Sequence, residues 1–197
     1  MKLKHLPNYI TLARIAGAIW LIFVQPLSVL FFVVYSLCGL TDVVDGYLAR
    51  KTNNVSEVGA RLDSVADLLF YAVMGVKIFP TLWKKLPKWI WFCVCTILLL
   101  RVGVYVLSFI KYHHFPSLHT YLNKLSGLMI FLIPFSVIID VLTPFCIAIA
   151  VVSFLAVVEE LLIHLLSKGY FTDVKTLACF IRKKNVRSID AEREKIE

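Results

Sequence analysis

The chain has 197 residues, 59% of them hydrophobic, and a formal net charge of +8. A soluble domain is typically about 45–50% apolar, so this composition argues against a water-soluble protein. The basic charge does not indicate a nucleic-acid binder, because the Lys and Arg residues lie at the ends of apolar runs, where anionic lipid headgroups are the expected partner.

The apolar residues form long runs, and a helix needs about 20 apolar residues to cross a membrane. This pattern predicts an all-α, polytopic membrane protein with six transmembrane helices. The predicted spans are residues 8–24, 27–49, 59–79, 89–110, 122–140 and 143–167. Residues 1–6 are expected to lie on the membrane surface, as a short basic and amphipathic lead-in.

The composition changes sharply after residue 168. Between residues 171 and 181 apolar residues recur at spacings of three and four, and basic residues follow them. This pattern is typical of an interfacial helix that leads into a charged end. We therefore expect a membrane domain over residues 1–168 and a cytoplasmic, amphipathic and charged tail over residues 169–197.

The positive charges are unevenly distributed between the two sides of the six-span arrangement. Most Lys and Arg residues fall on one side, and Lys84, Lys85 and Lys88 fall on the other. The positive-inside rule then places both termini, and the loop between spans two and three, in the cytoplasm. Trp83 and Trp89 flank the three lysines and fit an interfacial aromatic belt.

Asp42, Asp45, Asp63 and Asp67 lie in otherwise apolar segments, although a carboxylate at mid-bilayer depth costs roughly 2.5–3.5 kcal/mol on insertion scales. Residues three or four apart share a helix face, so each pair lines one face of its helix. A short polar connection makes the two helices neighbours, and their acidic faces should converge. Such a set of hard oxygen donors suits divalent cations, and two ions sharing carboxylates would suit a phosphoryl displacement.

Two other interpretations of these aspartates compete with a metal site. Structural ion pairs would require cationic partners, and only Arg50 and Arg61 lie close in the sequence. A cation transporter would spread its acidic residues over the depth of the membrane and interrupt its helices near the midplane. Because the acidic residues here cluster at one edge, we favour catalysis at the cytoplasmic membrane surface.

Residues 42–67 resemble the signature of the CDP-alcohol phosphatidyltransferase family at every defined position. The defined positions are Asp42, Asp45, Gly46, Ala49, Arg50, Gly59, Asp63 and Asp67. The resemblance implies an enzyme of phospholipid biosynthesis that transfers a phosphatidyl group from CDP-diacylglycerol to a small alcohol and releases CMP. It also implies a homodimer in the cell (inner) membrane, surrounded by membrane lipids, with its active site facing the cytoplasm.

The same resemblance implies roles for the motif residues. The four aspartates would be ligands of two divalent metal ions, Mg or Mn. Asp67 would also be the catalytic base that takes the proton of the acceptor hydroxyl. The CDP moiety would bind at Gly46, Ala49, Arg50 and Gly59.

The acceptor alcohol is less strongly indicated by the sequence. The opening PNYITLARI resembles the start of bacterial phosphatidylglycerophosphate and cardiolipin synthases. Arg101 lies deep in an apolar run, and Lys124 lies at the start of the fifth span. Both are expected to bind the phosphate of an acceptor, and glycerol 3-phosphate is the preferred candidate. Alternatively, Arg101 pairs with Glu159 or Glu160, and Lys124 extends to the membrane surface.

Serine or inositol (phosphate) is the alternative acceptor. The run from Asp63 to Asp67 reads DSVAD, which resembles the corresponding run of phosphatidylserine synthases. Serine carries no phosphate and would not require two further cations, so the pair Arg101 and Lys124 favours a phosphorylated acceptor.

Overall fold

The computed structural model describes residues 6–52, 57–112, 120–166 and 176, with no description of the side chains of residues 6–8, 43–52, 57, 58, 60, 61 and 112. The described residues form helices, which confirms the all-α class for this part of the chain. The helices are α1 (Leu6–Phe23), α2 (Val29–Thr52), α3 (Glu57–Lys85), α4 (Lys88–Tyr112), α5 (Tyr121–Phe131), α6 (Ile133–Ile138) and α7 (Leu142–Leu166). Apart from Thr176, the predicted tail lies outside the described residues.

Three helices are long and apolar enough to cross a membrane. Their candidate spans are Leu62–Lys85, Lys88–Lys111 and Leu142–Leu166, while α1 and α2 contribute the shorter apolar stretches Tyr9–Phe23 and Val29–Asp42. Large apolar side chains such as Phe92 and Leu99 are exposed on α4, as expected where lipid replaces water. Six membrane-crossing helices remain a prediction.

The predicted fifth span, residues 122–140, is wrong as a single helix. The chain turns at Leu132, between α5 and α6. Pro134 has no N–H to donate to the carbonyl four residues earlier, so the helical ladder is interrupted. The Leu132 N–H donates to the carbonyls of Leu128 and Met129, and a new helix starts from the Leu132 carbonyl, which accepts from Ser136.

The chain divides into two compact units, residues 1–85 and residues 86–197. In the first unit α1 packs against both α2 and α3. Its buried face contains Thr11, Arg14, Ala18 and Leu21, which recur at the spacing of one helix face. α2 contacts α3 through stacked rings, with 5.2 Å between the centroids of Tyr35 and Phe70.

A tight turn reverses the chain between α1 and α2. Leu27 has a φ of 63°, and Ser28 caps α2 by accepting a hydrogen bond on Oγ from the N–H of Phe31. On α3, Lys77 donates to the Val24 carbonyl at the end of α1, with 3.0 Å between Nζ and O. This contact satisfies a carbonyl that the helix end leaves without a partner in α1.

In the second unit α7 packs against α4, α5 and α6. The N-terminus of α5 is capped by Thr120, whose Oγ1 accepts from the Asn123 N–H. This cap fixes the first turn of α5, where Asn123 and Lys124 lie.

Candidate functional site

Three carboxylates from two helices converge in the first unit. Asp42 lies on α2, and Asp63 and Asp67 lie one turn apart on α3. One carboxylate oxygen from each residue lies within 4.8 Å of the other two. Their side chains are 47%, 43% and 40% exposed, respectively, so the cluster is open on one side.

An arginine from the third helix of this unit is inserted among the carboxylates. The side chain of Arg14 on α1 is only 1% exposed. Its Nη1 lies 2.9 Å from Oδ1 of Asp42, 3.2 Å from Oδ1 of Asp63 and 2.5 Å from Oδ1 of Asp67. From the sequence, only the nearby Arg50 and Arg61 were considered as cationic partners, whereas Arg14 comes from a helix that is distant in the sequence.

Arg14 was missed because it is 28 to 53 residues away from its partners in the chain. Local spacing identifies residues that share a helix face, but it does not report which face of a distant helix packs there. The available signal was an arginine in the middle of an apolar helix, since such residues usually face a polar interior.

Close packing of α1 on α2 positions these groups. A Cβ built on Gly17 would lie 2.7 Å from Sγ of the buried Cys38. Arg14 lies three residues before Gly17, and Asp42 lies four residues after Cys38. The close contact is therefore one helical turn from the ion pair, and glycine is required there because it has no side chain.

The donor set fits a divalent metal ion. All three described groups offer carboxylate oxygen, the ligand type that hard cations prefer, and metal–oxygen distances of about 2.0–2.6 Å are compatible with oxygens this close together. Three ionised carboxylates and one guanidinium leave a local charge of −2, which one divalent cation would neutralise.

Several predicted site residues cannot be placed in this geometry. Asp45, Gly46, Ala49 and Arg50 lie within α2, but their side chains fall outside the described residues. Gly59 lies in the first turn of α3 and is partly buried. The roles assigned to these residues therefore stay predictions.

A second polar cluster lies in the other unit, where α4, α5 and α7 meet. An Nη2–H of Arg101 on α4 donates to Oδ1 of Asn123 on α5. The side chain of Asn123 also hydrogen-bonds the carboxylate of Glu160 on α7, which is 2% exposed. Asn123 thus bridges a guanidinium and a buried carboxylate, and their opposite charges attract.

The structure assigns this cluster differently from the sequence prediction. Asn123 is the α5 residue that contacts Arg101, whereas Lys124 is exposed. The alternative that paired Arg101 with an acidic residue of the last span agrees with the position of Glu160. A polar residue one position before Lys124, in an otherwise apolar turn, was the signal for Asn123.

Comparison with known proteins gives the chain its family. The family model described as CDP-alcohol phosphatidyltransferase matches residues 4–166. A CDP-diacylglycerol–glycerol-3-phosphate 3-phosphatidyltransferase from Rickettsia bellii is 42% identical over 34% of this chain and 39% of its own length. A cardiolipin synthase (CMP-forming) from Streptomyces coelicolor is 32% identical over 56% of this chain and 54% of its own.

A third relative is named for a different acceptor. It is a CDP-diacylglycerol–serine O-phosphatidyltransferase from Methanocaldococcus jannaschii, 30% identical over 52% of this chain and 51% of its own length. In the three comparisons the matched region spans between 39% and 54% of the relative. No solved structure matches the chain.

Proposed function

Because the chain belongs to the CDP-alcohol phosphatidyltransferase family, we propose that it transfers a phosphatidyl group from CDP-diacylglycerol to an alcohol and releases CMP. The observation that carries this proposal is the convergence of Asp42, Asp63 and Asp67 from two helices onto one site. These are three of the four aspartates of the family signature, and their donor set suits the divalent metal on which the reaction depends.

The aspartates have two roles. Asp42, Asp45 and Asp63 would hold two divalent ions, Mg or Mn, and Asp67 would contribute both to that site and to proton transfer. Bound there, the ions supply charge neutralisation for the diphosphate of the substrate and for CMP as it leaves. The partly exposed carboxylates give a water-soluble acceptor access to the same site.

The reaction is an in-line displacement at the phosphorus that carries the diacylglycerol. The acceptor hydroxyl oxygen forms a bond to that phosphorus, and its proton passes to the Asp67 carboxylate. The bond from the same phosphorus to the bridging oxygen of CMP breaks, and CMP leaves with the electron pair. The products are the new phospholipid and CMP.

The remaining site residues bind the two substrates. Gly46, Ala49, Arg50 and Gly59 bind the CDP moiety, because the two glycines leave room near the backbone and a guanidinium suits phosphate. Arg101 and Lys124 are the candidate ligands of the acceptor. The bridge from Asn123 then acts as support that orients the Arg101 guanidinium.

The preferred acceptor is glycerol 3-phosphate, with phosphatidylglycerophosphate as product. The name of the Rickettsia bellii relative supports this choice. The alternatives are serine, which the Methanocaldococcus jannaschii relative's name favours, and inositol or its phosphate. A cation transporter is a remote alternative, and the carboxylates gathered at one site count against it.

The setting is the cell (inner) membrane, where six membrane-crossing helices form a domain over residues 1–168 and a charged tail follows over residues 169–197. Both termini and the active site face the cytoplasm, and two copies of the chain form a homodimer. The long apolar helices and the uneven distribution of basic residues support this arrangement.

The test is CMP release by the purified protein with CDP-diacylglycerol and Mn²⁺ or Mg²⁺. Glycerol 3-phosphate, serine, inositol, inositol 1-phosphate and phosphatidylglycerol are supplied separately. Release with glycerol 3-phosphate alone supports the full proposal, and release with serine alone keeps the chemistry but replaces the acceptor. The proposed chemistry fails if folded, metal-loaded protein releases no CMP with any of them.

A further inference from the structure

Arg14 lies outside the signature at residues 42–67, in the opening stretch PNYITLARI, yet its side chain is the most deeply buried of the four that form the ion-pair cluster. We propose that Arg14 is the internal counter-ion of the three carboxylates, and that metal ions and Arg14 compete for them. When metal is bound, the Arg14 guanidinium instead pairs with the diphosphate of the CDP-lipid. This second step rests on the proposed function, whereas the first does not.

The contacts of Nη1 are those of a central cation. A guanidinium Nη carries two hydrogens, yet the Arg14 Nη1 lies within 3.2 Å of oxygens from three different carboxylates. Two hydrogens cannot supply a separate hydrogen bond to each of three oxygens, so charge attraction holds the group as much as hydrogen bonding does. Nη1 therefore takes the position among the oxygens that a metal ion would need.

The charges distinguish two states of the site: one divalent ion together with Arg14 balances the three described carboxylates, whereas two divalent ions leave no negative charge for Arg14 to offset. Three carboxylates offset by one guanidinium leave −2. Two divalent ions would neutralise all four motif aspartates without Arg14, because +4 cancels −4. A guanidinium within a few ångströms of those ions would be repelled, since unit charges 4 Å apart interact by about 4 kcal/mol at an effective dielectric of 20.

Once displaced from the three carboxylates, the guanidinium still favours an anionic partner. The Arg14 side chain is 1% exposed, and a buried charge that loses counter-ions is costly to keep. In the proposed reaction, the diphosphate of the CDP-lipid is the anion brought to these ions. Guanidinium groups bind phosphate oxygens through two parallel hydrogen bonds, so the diphosphate is the natural replacement for the carboxylates.

The experiment compares the full-length wild-type protein with the variants Arg14→Met, Arg14→Lys and Lys77→Met. Thermal unfolding is measured in EDTA and with Mn²⁺, and Mn²⁺ binding is measured by the loss of its free-ion electron paramagnetic resonance signal. Lys77→Met is the matched control because it also removes a cation from the first unit. Lys77 is ten residues beyond Asp67 on α3, about 15 Å along the helix axis, and bonds the Val24 carbonyl instead.

Competition predicts an effect that depends on metal. In EDTA, Arg14→Met should have a Tm several degrees below that of wild type, and with Mn²⁺ most of this difference should disappear. The variant should also bind Mn²⁺ at least tenfold more tightly than wild type. Lys77→Met should lower the Tm by the same amount with and without Mn²⁺. If Arg14→Met lowers the Tm equally in EDTA and in Mn²⁺, or if its Mn²⁺ affinity equals that of wild type, metal ions and Arg14 do not compete.

Arg14→Lys keeps the positive charge but lacks the paired N–H donors of a guanidinium. It replaces Arg14→Met in the experiment if that variant does not fold. Its Tm in EDTA should stay near wild type. Binding of CDP to the Mn²⁺-loaded protein should be at least tenfold weaker in both Arg14 variants, while Lys77→Met binds like wild type. If the Arg14 variants and wild type bind CDP equally well, Arg14 does not contact the diphosphate. If wild type itself binds no CDP, the proposed function fails, and the Tm data still decide whether metal ions and Arg14 compete for the carboxylates.

Discussion

Asp67 makes the shortest of the three contacts to Arg14, with 2.5 Å between Oδ1 and Nη1. A guanidinium stabilises the ionised form of a carboxylate that it contacts. In the proposed exchange, Asp67 gives up this contact before it accepts the proton of the acceptor hydroxyl. Ion pairing to Arg14 and proton transfer at Asp67 therefore belong to different states of the site.

Asp67→Asn should abolish turnover and leave folding and CDP-lipid binding mostly intact. The amide has nearly the same shape, but it cannot take a proton, and the loss of a general base costs at least about 10²-fold. CMP release and thermal unfolding measure the two effects. Asp140→Asn is the matched control, because Asp140 lies between α6 and α7 with a φ of 54°, which asparagine tolerates. Retained activity above ~1% would remove Asp67 as the base.

Asn123 bridges Arg101 and Glu160 in the second unit. Asn123→Leu keeps the size of the side chain and removes both polar atoms, leaving a buried carboxylate without this donor. We expect a loss of about 1–3 kcal/mol in the free energy of unfolding, measured by denaturant titration in detergent.

The control for this change is Thr96→Val on α4. The hydroxyl of Thr96 donates to the Phe92 carbonyl within its own helix, and the residue is exposed. Its replacement should leave the free energy of unfolding unchanged within about 0.5 kcal/mol. If Asn123→Leu is equally neutral, the bridge does not stabilise the second unit.

At the level of helices, the site depends on how closely α1 approaches α2. Gly17→Ala would place a Cβ 2.7 Å from Sγ of Cys38. The Cys38 side chain is buried, so rotating its sulfur into the packed surroundings or moving the helices apart would each cost stability. We expect a lower Tm and reduced CMP release, because Arg14 and Asp42 lie one turn from this contact.

Gly75→Ala provides the matched control on α3. A Cβ at Gly75 would meet nothing within 4 Å, and alanine favours a helix over glycine by about 0.8–1.0 kcal/mol. This variant should therefore be as stable as wild type or more so, with unchanged CMP release. Equal behaviour of the two alanine variants would contradict the packing account of the α1–α2 contact.

The helices and the acidic face were predictable from the sequence because both follow local spacing. The four-residue interval between Asp63 and Asp67 was sufficient to place them on one face of α3. The break at Leu132 was missed because the apolar run continues through it. A pattern of hydrophobic residues does not show that Pro134 lacks a backbone N–H. Arg14 was missed because its partners belong to other helices of its unit. Glu160 was anticipated as a partner of Arg101, but Asn123 was not identified as the side chain between them.

At the level of the whole molecule, the proposed orientation can be tested with single cysteines. In a background without the five native cysteines, Lys84→Cys should react with a membrane-impermeant maleimide from outside intact cells. Tyr121→Cys should react only after the cells are permeabilised. Both parent residues are exposed, so access depends on the side of the membrane. The reverse pattern would place the acidic cluster on the outer side.

The carboxylates with Arg14 lie wholly within residues 1–85, and the Arg101–Asn123–Glu160 cluster lies wholly within residues 86–197. Natural selection can therefore act on the two sets of residues separately. In the proposed function, the first set carries the leaving-group chemistry and the second contains Arg101, a candidate ligand of the acceptor. A gene duplicate that accumulates substitutions in its second half would then change its alcohol while it keeps that chemistry.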